Sequence, residues 1–185
     1  MKKNKGYTLV ELIIVIAIIA VLAAASFVTI GIIKQAQYNT AATTISDQMG
    51  SLLVKTKALS DPSNEPMCMA IQYNAASRTY ADGNVAKAGS YSIVLGHNTG
   101  SGFVEKVTDT AEATLPNFIT ITYAPTATAQ KASFASDTNF IIQFNKADGS
   151  VKYGAGRYDI IYNGNTVASI YLDPVTGNHY VGEGW

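Results

Sequence analysis

The amino-acid sequence predicts an α+β protein in which a long N-terminal helix lies on an antiparallel β-sheet, and three features carry that expectation. Residues 12–33 form an uncharged apolar run of 22 residues. Residues 38–59 repeat their apolar positions at helical spacing. From residue 67 onward the pattern changes to alternation, broken by Gly, Asn and Asp turns.

The first element opens at Leu12 and closes at Ile33. At about 1.5 Å per residue it is long enough to cross the ~30 Å hydrocarbon core of a bilayer, so a membrane helix is expected. Lys2, Lys3 and Lys5 precede it and hold the start of the chain on the cytoplasmic side, which places the C-terminal end outside. Glu11 stands where the apolar side chains begin in earnest. A carboxylate inside a spanning helix costs on the order of 3 kcal/mol, so it requires a compensating partner.

The segment Gly6-Tyr7-Thr8-Leu9-Val10-Glu11, between a basic leader and the apolar run, resembles the processing motif of type IV prepilins and of the pseudopilins of type II secretion and competence systems. The resemblance implies that a membrane-embedded prepilin peptidase cuts between Gly6 and Tyr7 and methylates the new amino terminus at Tyr7. It implies that Glu11 is the assembly carboxylate, paired with the terminal amine of a neighbouring subunit. Two groups that are each costly in lipid become tolerable as a pair when helices pack side by side, which is a device for building a polymer. Other pilin subunits, a membrane platform protein and a cytoplasmic assembly ATPase are the further partners implied. The expected organisation is a leader at residues 1–6, a transmembrane and filament-core helix at 7–33, its amphipathic continuation at 34–60, and an extracytoplasmic β-sheet domain at 61–185, a pilin-like layout. Where many pilins carry a glycine and a proline in this helix, Ala20 and Val28 stand here, and Gly31 is the only weak point nearby.

Two plainer readings compete. Ala23-Ala24-Ala25 before Ser26 imitates a secretory cleavage site, but the apolar run continues to Ile33 and a signal peptide needs no acid before its apolar region. Alternatively, the helix is a plain anchor in which Glu11 snorkels to the interface, carrying a monomeric binding domain.

Beyond Lys34 the helical pattern continues. Tyr38, Ala41, Ala42, Ile45, Met49, Leu52, Leu53, Thr56 and Leu59 form one stripe, with Asn39, Thr43, Asp47, Ser51 and Lys55 opposite. Tyr38, Ile45, Met49, Leu52 and Leu59 are the residues expected to pack on the sheet. One helix from Tyr7 to about Leu59, roughly 80 Å long by rise per residue, should stop at Ser60-Asp61-Pro62. Gly50, mid-stripe, marks close packing or a slight bend.

Strand expectations follow in order. Residues 67–74 and 78–81 are weak candidates separated from the next by the turn Asp82-Gly83-Asn84; residues 91–95 form a better one, stopped by Gly96. A loop with a helical turn is expected near residues 109–115, a strand at 118–123 and an exposed loop at 124–136. Residues 140–144, 158–162, 167–172 and 179–181 read as one antiparallel meander, with Asn163-Gly164 as a tight hairpin because both central positions of that turn want positive φ. The Thr176-Gly177 turn loosely resembles those of minor pseudopilins, the alternative kind of subunit.

Composition bounds the function. The 185 residues balance 13 basic against 13 acidic side chains, and loss of Lys2, Lys3 and Lys5 leaves a mildly acidic chain with no broad attraction for nucleic acid. Cys68 is the lone cysteine, so no internal disulfide forms, unlike in many pilins; a small buried hydrophobe is its expected role. No catalytic constellation, phosphate loop or cofactor motif is present, and His97 and His179 are expected beside turns, far apart. The resemblance raises calcium at Asp173 with Asn178, or at Asp148, but one acid per loop is thin for an ion taking six to eight oxygens, and no metal site is expected. Eleven tyrosines and six phenylalanines exceed what one small core needs; core filling and outer strand faces account for most, and Trp185 anchors the last strand or meets a neighbour.

Overall fold

A computed structural model describes residues 7–58, 67–98, 103–105, 110–125 and 139–183, with the side chains of residues 25–29, 104–105 and 183 outside that description. The leader with Gly6, Leu59 and the stop at Ser60-Asp61-Pro62, most of the loop expected at 124–136, and Trp185 also lie outside it. The chain divides into two compact units, Met1–Gln37 and Tyr38–Trp185.

The helix, α1, runs Leu9–Ala58. It starts two residues later than expected because Thr8 occupies the capping position. In the first unit every described side chain from Tyr7 to Ala24 is exposed, and so are Ile30, Ile32 and Ile33. Among the described residues no helix is long and apolar enough to cross a membrane: described apolar side chains run from Leu12 to Ala24 and resume at Ile30, whereas a span needs about 20 in succession.

Among the described residues the second unit holds the rest of α1 and twelve strands, β1 (Met67–Asn74), β2 (Arg78–Thr79), β3 (Val85–Ala86), β4 (Ser90–Asn98), β5 (Phe103–Glu105), β6 (Ala113–Thr114), β7 (Thr120–Pro125), β8 (Asn139–Phe144), β9 (Val151–Tyr153), β10 (Gly156–Tyr162), β11 (Asn165–Leu172) and β12 (His179–Glu183). All described pairings are antiparallel. One sheet has the order β5-β4-β1-β8-β9, with β6 also on β4; a second has β12-β11-β10-β7; β2 and β3 form a small hairpin.

The helical stripe meets both large sheets. Ala41, Ala42, Ile45, Met49 and Leu52 share one core with Met69 and Ile71 of β1, Ile93 of β4, Phe140, Ile142 and Phe144 of β8, and Tyr158, Ile160 and Ile170 of the second sheet. Burying each of the larger side chains here, such as Ile45, Met49 and Leu52, contributes about 1.5–3 kcal/mol. Tyr38 is half-buried at the edge of that core with its ring 6.2 Å from Tyr162, while Asn39, Thr43 and Asp47 are exposed. Ser51 and Lys55 are half-buried, and Lys55 reaches Glu112 at 3.5 Å. Gly50 faces the His179 ring, where a Cβ would make ordinary van der Waals contact at 3.5 Å.

A second, smaller core covers the other face of the first sheet. Cys68, Ala70, Val94 and Ile141 meet Tyr80, Ala86 and Ala111 there. Burial pushes the Cys68 thiol up to about 12, which leaves it protonated and inert.

Several expectations are corrected. The meander is not one sheet: β8 pairs with β1, and only β10, β11 and β12 lie together, joined by β7. All of β8 after Asn139 is buried, so the strand requires cover on both faces and takes an interior place in the first sheet, between β1 and β9. Gly96 does not stop β4; it pairs with Cys68 on one side and Glu105 on the other. No helical turn forms at residues 110–115, because Asp82 accepts from the Ala111 N–H at 3.0 Å and the Glu112 and Leu115 N–H groups bond to Ile93 and Tyr91 carbonyls. Ala124 and Pro125 belong to β7, an edge strand that can spare the missing proline N–H.

Three hairpin turns shape the C-terminal region. Asn163 and Gly164 take φ of 50° and 78° and close the Tyr162–Asn165 pair, as a two-residue turn between twisted strands demands. The loops at residues 145–150 and 173–178 share one geometry. In each, the first N–H bonds to the sixth carbonyl, and the fifth residue, Gly149 or Gly177, donates to the first carbonyl from positive φ. The two loops touch, since the Val151 N–H donates to the Pro174 carbonyl at 2.9 Å.

Candidate functional site

The site begins at the head of α1. Thr8 precedes the first helical residue, and its hydroxyl accepts from the Glu11 N–H at 3.3 Å. Glu11 reaches back: Oε2 accepts from the Thr8 N–H and from the Thr8 hydroxyl, both at 2.8 Å. This Thr-x-x-Glu box satisfies N–H groups that the first turn would otherwise leave open, and it fixes the carboxylate where the partial positive charge of the helix end favours it. Both local donors use Oε2, so Oε1 stays open. Among the described residues no cation stands against Glu11.

The flanking residues fall as follows. Tyr7 is 87 % exposed, and Leu12 and Ile33 are exposed along with the apolar side chains described between them. Exposed apolar side chains in such number are of the kind that lipid or other helices cover. Gly6 lies outside the described residues. Ile45, Met49 and Leu52 are fully buried, Tyr38 packs on the same core, and Leu59 lies outside the description.

The other candidate groups do not converge. His97 lies inside β4 and His179 at the start of β12, on different sheets, and neither stands in a turn. The Asp173 Oδ1 accepts from the Val175 and Thr176 N–H groups and from the Thr176 hydroxyl, and the Asp148 Oδ1 accepts from the Ser150 N–H and hydroxyl. Both carboxylates are thus turn caps, and among the described residues no three His, Cys, Asp or Glu side chains gather as a metal site.

Sequence reasoning passed over Thr8, although Thr-x-x-Glu before an apolar run is a legible capping signal. It also missed a row across the outer face of the second sheet. Register places Ala124, Arg157, Tyr171 and Tyr180 side by side on β7, β10, β11 and β12.

Residues 1–27 carry the prokaryotic N-terminal methylation motif, the prepilin-type motif of type IV pilins and pseudopilins. No curated protein and no solved structure matches the chain. The motif implies processing by a prepilin peptidase and assembly with other pilin subunits, and it points to a structural subunit.

Proposed function

We propose that this chain is a structural subunit of a type IV pilus or a related pseudopilus. Cleavage between Gly6 and Tyr7 and methylation of Tyr7 create the amine that Glu11 of an adjacent copy requires. The observation that carries this reading is Glu11, fixed in the first turn of an exposed apolar helix with one oxygen open and no described cation beside it. Before assembly, residues 12–33 hold the prepilin in the cytoplasmic membrane with the sheet unit outside, in agreement with the length and apolarity of the run. Assembly, driven by the platform protein and ATPase, transfers that surface from lipid to neighbouring helices. A head-to-tail contact of this kind grows into a fibre rather than closing into a ring.

The test is Glu11→Ala, with Glu11→Gln beside it. Both variants should be processed normally yet fail to enter filaments when co-expressed with wild-type chain. Incorporation at the wild-type level would defeat the proposal and favour a monomeric anchored domain.

A further inference from the structure

The outer face of the second sheet carries a polar and aromatic constellation that filament assembly through α1 does not use. Tyr171 and Tyr180 are cross-strand neighbours whose rings stack at 4.9 Å and 13°. Tyr171 lies over Gly182, where a Cβ would come 3.4 Å from the ring, and Tyr180 is 62 % exposed with its outer face open. Beside them runs a groove of about 390 Å³ walled by Pro125, Arg157, Asp173 and Pro174.

The groove carries one cation and an excess of carboxylate. Arg157 is held by Asp159, whose Oδ2 lies 3.0 Å from both Nε and Nη2, and Asp159 is fixed in turn by the Ser169 hydroxyl at 2.6 Å. Asp173 adds a second carboxylate, and the turn donors all use its Oδ1, leaving Oδ2 for an outside hydroxyl. Tyr171 takes a further bond from the guanidinium, and with the Arg157 side chain half exposed, some of its five N–H groups remain for a ligand oxygen. One cation against two carboxylates gives no attraction for phosphate, nucleic acid or a uronic acid. A flat aromatic face flanked by one fixed donor and one fixed acceptor instead complements a ligand with an apolar C–H face and a rim of uncharged hydroxyls.

We infer that the Tyr171–Tyr180 shelf with Arg157 and Asp173 is a binding site for a neutral saccharide. The sugar ring lies on the outer face of Tyr180, its hydroxyls accepting from Arg157 and donating to Asp173 Oδ2. The site is complete within one copy, so binding does not depend on assembly, and failure here leaves the filament reading untouched.

The test titrates full-length chain in detergent micelles with maltotriose, cellotriose and triacetylchitotriose, followed by the tyrosine ring signals in NMR, with trigalacturonate as the anionic comparison. Saturable binding of at least one neutral trisaccharide is expected, weakened about tenfold or more by Tyr180→Ala, retained in Tyr180→Trp and unchanged by Tyr73→Ala on the other sheet. Thermal midpoints of the variants check that the fold is intact. No binding by any of the three neutral sugars, equal binding of trigalacturonate, undiminished binding by Tyr180→Ala, or photo-cross-links from position 180 landing on another copy in filaments would each overturn the site.

Discussion

The Thr8 hydroxyl and the Glu11 carboxylate close a reciprocal cap on α1, with the hydroxyl 2.8 Å from Oε2 and the Glu11 N–H returning to that hydroxyl at 3.3 Å. Glu11 therefore caps the helix within its own chain and, on the function proposed above, presents its open oxygen to another copy. The local job accounts for its position in the first turn, where a carboxylate is favoured rather than penalised.

Thr8→Ala separates the two jobs. It should speed hydrogen exchange at Glu11 and Leu12 about fivefold, the equivalent of the roughly 1 kcal/mol a lost cap costs, while filament incorporation persists because the carboxylate remains. Unchanged exchange would show that the cap contributes nothing in solution.

The buried stripe of the helix should behave unlike its exposed part. Leu52→Ala removes a side chain with 0 % exposure from the shared core, and a loss of about 2–5 kcal/mol in urea unfolding is expected. Ile16→Ala, on the exposed stretch, should leave the unfolding midpoint of the second unit in place.

Gly177 sits at φ +69°, and a Cβ there would overlap the Gly149 carbonyl oxygen and crowd the Phe144 ring. Gly177→Ala combines left-handed strain with a clash between the two touching loops and should cost more than about 2 kcal/mol. Gly83, at φ +88° with open space around its Cβ direction, supplies the comparison: Gly83→Ala should cost only the conformational part, about 1 kcal/mol.

Acid should weaken the sheet unit through its turn caps. The Thr176 N–H and then its hydroxyl hold Asp173 below the ordinary aspartate range; the Ser150 hydroxyl and then its N–H do so for Asp148, and the Asn84 N–H first for Asp82. A depressed folded pKa means the unfolded chain takes up protons first. The stabilisation is thus fully present above the unfolded value of about 3.9 and disappears as pH falls through the folded values. The urea midpoint should hold steady down to about pH 5 and drop below about pH 4, less steeply in Asp173→Asn. An equal slope in that variant would remove Asp173 from the account.

The parts of the fold that were legible in the sequence are those with one dry face. The stripe through Ile45, Met49 and Leu52 and the Asn163-Gly164 turn obey period and φ requirements that one chain segment states by itself. β1 reads only weakly as a strand because both its faces are covered, one by the helix core and one by the core around Cys68 and Tyr80, which erases alternation; β8, covered in the same way, reads as a strand but not as a member of this sheet. For the same reason the assignment of β8 to the first sheet was not visible: its partner β1 lies some seventy residues away and shares no local signal with it. At the site, Glu11 was conspicuous as a lone acid before an apolar run. The Tyr171–Tyr180 stack was hidden, since it depends on the register set by the 173–178 turn.

The central claim is that maturation creates a positive amine at Tyr7 for an adjacent Glu11, and mass spectrometry of the N-terminal peptide from cell-derived filaments or membranes tests it most directly. The account predicts a peptide beginning at Tyr7 and carrying an N-methyl group. A peptide beginning at Ser26, or one retaining Met1 throughout, would contradict it.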